Sequence, residues 1–234
     1  MSTVDVLGHT LDIDASAATA IDHRLGAMAA HLWDRPELRF KPIPLLKRVG
    51  RYDQTVRATM QYAAGTFRLT HETAQRLQNA DRRQVRSIWR PKKRVDESWE
   101  EWHRRSFRGA GAITLAAGAS TLLERVLRAQ HQWAGHLGRM GPDTWVAILS
   151  QWRDSKWWKA FQAEWQRVDP VNSTQWRHPR RGDHHRWDTA LVAQYGPEWR
   201  TKTVSREDWK RLEDSWVFAE HARLLPSRYP ALER

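Results

Sequence analysis

The 234-residue chain contains no cysteine. Disulfides, thiolate metal sites and a cysteine nucleophile are thereby excluded, and the absence fits a reducing compartment. Long apolar runs are also missing. The most continuous stretch, residues 110–120, is too short and too rich in Gly and Ala to span a bilayer. Residues 1–20 carry Asp5, Asp12 and Asp14 and no basic segment ahead of an apolar run, so they do not read as a secretory signal. No phosphate-binding glycine loop, nucleophile elbow or His-Glu-x-x-His pattern occurs, and no cofactor is expected. Negative charge is scarce: 39 Lys and Arg face 27 Asp and Glu, a net charge of +12. A charge of that sign and size favours an acidic partner, nucleic acid before an anionic membrane surface. An intracellular, nuclear or cytoplasmic ribonucleoprotein is the setting this suggests.

Tryptophan is abundant instead. There are 15, of which 11 lie from Trp133 onward. Indoles usually pack, because the ring buries well and its N–H seeks a partner. The chain reads as mainly α: a thumb-like helical bundle, a short N-terminal strand or hairpin over residues 4–13, and a Trp-rich helical extension. Residues 1–140 and 141–234 are the expected domains. Apolar spacing predicts helices over 14–33, 53–67, 70–90 and 119–138. In the first, Ile21, Leu25, Met28 and Leu32 form the stripe; in the third, Ala74, Leu77, Ala80, Val85 and Ile88. Three prolines make 34–46 an extended connection, with Asp53 capping the next helix. A short helix is expected around Trp99–Phe107, with the glycines of 109–113 in a loop. Short helices are expected around Trp145–Trp152, Trp157–Trp165 and Trp187–Tyr195, with a loop over 169–183. A last helix starts at Ser205, capped with Asp208, and carries Trp209, Leu212 and Trp216 on one face.

Two clusters invite a metal reading and lose it to simpler ones. Asp12 and Asp14 fit a turn and a helix cap, and His178, His184 and His185 fit a solvated Arg-rich loop. No metal site is expected. The basic segment from Arg82 to Arg108 is more informative, with ten basic and four acidic residues. Arg82, Arg83, Arg86 and Arg90 share one side of a helix, and Lys92, Lys93 and Arg94 carry the charge into a loop. Such a ridge suits phosphates. Trp89 and Trp99 flank it and can stack on bases.

The order of pieces resembles the region after the palm of non-LTR (LINE-type) retrotransposon reverse transcriptases. Val6, Leu7 and Gly8 match the family's "YLG" strand, and Ile21, Arg24 and Leu25 its "I-x-x-R-I" helix. Tyr62, Gly65, Phe67 and Leu69 fall on the "l-Y-G-s-E-t-W-x-l-t" segment, although Thr66 and Phe67 stand where the family often has Glu and Trp. Leu77, Arg82, Val85, Arg86 and Ile88 fall on its "L-x-x-f-x-x-r-x-l-R-x-I" helix. Arg128, Trp133, Gly135, His136, Arg139 and Met140 match its "R-L-R-W-l-G-H-v-x-R-M" block. The resemblance covers about residues 4–140. It implies that Leu7 and Gly8 belong to a primer grip and that the following helices form a thumb holding RNA or an RNA–DNA duplex. The family's "Y-x-D-D" aspartates lie upstream of this region and are absent from the chain, as is its Cys/His zinc knuckle. Without those aspartates two-metal nucleotidyl transfer is impossible, so the chain is expected to be no enzyme on its own: a fragment, a decayed copy or a domesticated piece. The alternatives are a non-enzymatic subunit of a ribonucleoprotein that docks a protein partner through its Trp-rich C-terminal third, and a remnant without selected function.

Overall fold

A computed structural model describes residues 3–6, 9–12, 17–61, 64–67, 69–141, 143–144, 163, 167 and 188–226. The described backbone is mainly helical. Its α-helices are α1 (Ala17–Trp33), α2 (Leu45–Thr55), α3 (His71–Trp89), α4 (Trp99–Ala116), α5 (Leu122–Arg139), α6 (Thr189–Tyr195) and α7 (Arg206–Leu224). At the N-terminus, β1 (Thr3–Val6) lies antiparallel to β2 (His9–Asp12), with Val4 opposite Leu11. A lone pair of four-residue strands is marginal by itself. Leu7, Gly8, Tyr62 and the region expected to hold the Trp145–Trp152 and Trp157–Trp165 helices and the 169–183 loop lie outside the described residues, apart from helical backbone at Ala163 and Arg167.

Contacts divide the chain into two units, residues 1–131 with 214–234, and residues 132–213. In the first, the apolar stripes converge. Ile21, Met28 and Leu32 of α1, Val49 and Tyr52 of α2, Leu77, Val85 and Ile88 of α3, and Leu122, Val126 and Leu127 of α5 are all buried. Thr70 and Thr73 form a reciprocal capping box that starts α3, and Glu72 sits in its first turn, where the helix dipole favours a carboxylate. In the second unit, Trp199 and Trp209 are buried with Leu137 and Leu191, and the Trp199 indole donates to Asp188 at 3.1 Å. Trp209 meets Tyr195 edge-on, with ring centroids 5.4 Å apart. Trp216, in the first unit, is buried as well. The described tryptophans of the C-terminal third therefore pack inward.

Several expectations need correction. Residues 34–46 are not extended throughout: Pro36–Arg39 form a 3-10 turn, and α2 begins at Leu45, directly after Pro44. Proline at a helix start costs no hydrogen bond, so the prolines mark an entry to the helix. Asp53 therefore caps nothing and lies inside α2, where its carboxylate takes hydrogen bonds from Arg57 and Arg125. The helix expected to run to Phe67 breaks into 3-10 turns at Arg57–Gln61 and Ala64–Thr66, although Val56, Met60 and Phe67 are buried as expected. The glycines of 109–113 are helical, not a loop. α4 runs through them because Gly109 admits the Trp89 ring: a Cβ there would lie 2.7 Å from two of its carbons. Close packing outweighs the propensity cost of roughly 1 kcal/mol for glycine inside a helix.

Candidate nucleic-acid interface

The basic ridge is split by the packing of α3 against α4. Arg82 and Arg86 are only partly exposed. The Arg82 guanidinium lies 5.4 Å from the Phe107 ring centre, and that of Arg86 lies 4.8 Å from Trp102 and 5.8 Å from Phe107. Burial pulls both guanidinium pKa values below their usual level, and Arg83 adds to this at Arg86. Both remain charged at neutral pH, since arginine does not deprotonate in proteins. They bridge α3 and α4 by cation–π contacts, worth about 0.5–2 kcal/mol each. Trp89 is half-buried, with one edge of its ring against Gly109. Arg83, Arg90, Lys92, Lys93 and Arg94 are exposed. The exposed part of the ridge thus lies along Arg83 and at the end of α3, and in the loop beyond it.

That loop is tied down from behind. Trp102 donates its indole N–H to the Pro91 carbonyl at 3.1 Å, and Arg105 donates to the Lys92 carbonyl at 2.9 Å. Arg105 also grips both carboxylate oxygens of Glu97, at 2.6 and 2.7 Å, and Glu97 accepts from the Arg94 amide at 3.1 Å. The Arg105 hydrogen bonds hold the Glu97 carboxyl down to about 2. Ser98 and Glu101 form the capping box that starts α4. Backbone groups of Pro91, Lys92, Arg94 and Ser98 are engaged in these ties while the side chains of Lys92, Lys93 and Arg94 are left exposed. The Ser-x-x-Glu pattern is legible in the sequence; the lacing by Trp102 and Arg105 is not.

Arg90 is the only non-glycine residue with a positive φ among the described residues (φ 56°, ψ 59°). It closes α3 by donating its amide to the Arg86 carbonyl at 2.7 Å. Glycine usually fills this position. Arg90→Gly is therefore expected to stabilise the fold by about 1 kcal/mol, which chemical denaturation checks. Just inside that helix end, buried Arg48 donates to the carbonyls of Ile88 (2.6 Å), Ile43 (2.9 Å) and Leu38 (3.3 Å), binding the 38–43 segment to the C-terminus of α3.

Elsewhere in the first unit lies a buried polar network. Arg57 makes a two-pronged pair with Asp81, at 2.7 and 3.0 Å, and also donates to Asp53, the Ser120 carbonyl and Thr114. Asp81 further accepts from the Tyr52 hydroxyl at 3.0 Å and the Leu122 amide at 3.2 Å. Burial opposes the Arg57 charge, but Asp81, together with Tyr52 and Asp53, more than offsets it and the pKa ends above the usual value. Burial, then Asp81, pushes the Tyr52 hydroxyl well up.

The residues matched to the family's Trp-x-Gly-His block lie in the second unit. Trp133 is half-buried, His136 is exposed and tilted against it at 5.7 Å, and Gly135 is buried against Trp209. Arg139 donates to the Thr203 carbonyl at 3.0 Å. Among the described residues no group of three or more His, Asp or Glu is placed to hold a metal ion, and no helix is long and apolar enough to cross a membrane. Comparison with protein-family models, with curated proteins and with solved structures finds no match.

Proposed function

We propose that the chain is a nucleic-acid-binding helical module, similar to the thumb of a non-LTR reverse transcriptase, which holds RNA or an RNA–DNA duplex through its phosphates and has no polymerase chemistry of its own. The observation that carries this reading is the loop after α3: Arg90, Lys92, Lys93 and Arg94 are exposed, and the backbone between them is tied to α4 by Trp102, Arg105 and Glu97. A preformed cationic loop binds a polyanion without the ordering cost that a floppy one would incur. Arg83 continues the surface along α3. Arg82 and Arg86 contribute field and mechanical support, not direct contact. The interaction-subunit reading is weakened by the burial of Trp199, Trp209 and Trp216, its natural anchors among the described residues.

The test is anisotropy titration of a labelled RNA–DNA hybrid with the parent and with Lys92→Ala/Lys93→Ala/Arg94→Ala. Each lost phosphate contact lowers the slope of log K against log salt by about 0.9. The triple variant is expected to lose about two to three units of slope and to bind about tenfold or more weakly at moderate salt. Equal affinity and slope in the two proteins would contradict the proposal.

A further inference from the structure

Trp99 is 71% exposed, more than any other described tryptophan, and the packing of the fold gives no reason for it. The next most exposed, Trp33 at 61%, has the Arg39 guanidinium 4.3 Å from its ring centre. Trp99 is different. It is the first residue of α4, directly after the Ser98 cap of the Ser98–Glu101 box, so its backbone is fixed. Its ring meets Trp102 edge-on, at 88° and 5.4 Å between centroids. Trp102 is itself braced by the Pro91 carbonyl and by Arg86. The Lys93 ammonium stands 6.0 Å from the Trp99 ring centre, at the outer limit of a cation–π contact, and Lys92 and Arg94 are exposed beside it in sequence.

A braced indole face next to ammonium and guanidinium groups suits a ligand that is flat and aromatic at one point and anionic at the next. A nucleotide strand has that composition. We propose that Trp99 is a stacking platform for an unpaired nucleobase, so that the strand held here carries a single-stranded segment or overhang. Bases inside a duplex already stack on their neighbours, and only an unpaired base is free to leave that stack for the indole. Glu100, exposed and only loosely paired with Arg104 at 3.8 Å, disfavours phosphates on the helix side of Trp99. The phosphates therefore run along the Lys92–Arg94 side. This inference rests on the nucleic-acid reading above and adds the kind of strand.

The experiment titrates the full chain with three labelled probes: a single-stranded RNA, an abasic strand of the same length and charge, and a blunt RNA–DNA hybrid. The parent is expected to prefer the base-bearing strand over the abasic one by about 5- to 150-fold, the range for one stacked base. Trp99→Ala is expected to remove most of that preference, Trp99→Tyr to keep it, and neither to change binding of the blunt hybrid. Because Trp99 is exposed, both variants should melt like the parent, which circular dichroism checks. If Trp99→Ala discriminates between the two strands as the parent does, the stacking platform is refuted, including the case in which Trp99 anchors a protein partner. If that happens while Lys92→Ala/Lys93→Ala/Arg94→Ala still binds weakly, only this inference falls. If the triple variant binds all three probes as the parent does, the nucleic-acid reading falls with it.

Discussion

Asp81→Ala should cost the fold about 3–5 kcal/mol, the usual penalty for leaving one partner of a buried ion pair alone. Arg57 is fully buried, and Asp81 supplies two of its close contacts and the charge that offsets its desolvation. Removing the carboxylate also strips the Tyr52 hydroxyl and the Leu122 amide of their acceptor. The loss falls on several elements at once, because the network joins α2, α3, the end of α4 and the start of α5. In a chain of this size it corresponds to a fall of roughly 6–20 °C in melting temperature. Asp81→Asn keeps an acceptor but not the charge and should fall between. Arg76→Ala is the control. It breaks exposed pairs with Asp22 and Glu72 and should leave the midpoint almost unmoved. An Asp81→Ala protein that melts with the parent would show that the pair does not hold the unit together.

Gly135→Ala should destabilise the second unit by about 1–3 kcal/mol through overpacking. A methyl group at Gly135 would overlap Nε1 and Cδ1 of Trp209, which is buried with its ring near those of Tyr195 and Trp199. Gly138 is under the same constraint from Thr203. Gly26, inside α1, has open space where a methyl group would stand, with nothing within 4 Å, so Gly26→Ala should stabilise by up to about 1 kcal/mol. Opposite signs for one substitution at two helical glycines, read by thermal melts, separate packing from propensity. The glycine of the Trp-x-Gly-His block thereby acquires a physical reason: the α5 backbone must approach an indole.

The apolar stripes of α3 and α5 are legible in the sequence, because Leu77, Val85 and Ile88, or Leu122, Val126 and Leu137, obey helical spacing whatever surrounds them. The Arg57–Asp81 pair is not. A charged residue in sequence reads as surface, and these two stand 24 positions apart, brought together only by the fold. Spacing puts Arg82, Arg86 and Arg90 in one row, but periodicity locates a face without saying what covers it. Trp102 and Phe107 of α4 cover the first two arginines and leave the third at the helix end. Gly109 misleads for the opposite reason: its low helix propensity suggests a loop, where a close approach by Trp89 requires it. The exposed loop from Lys92 to Arg94 is visible in the sequence as charge. Its anchoring by Arg105 and Glu97 depends on a second helix whose full length the sequence does not disclose.

The most direct test of the cationic loop as the nucleic-acid contact is a lysine-reactivity footprint of the intact chain, with and without a saturating RNA–DNA hybrid. The account predicts that Lys92 and Lys93 lose reactivity on binding while Lys202 and Lys210, exposed in the second unit, do not. Protection of Lys202 and Lys210 with Lys92 and Lys93 unchanged would contradict it.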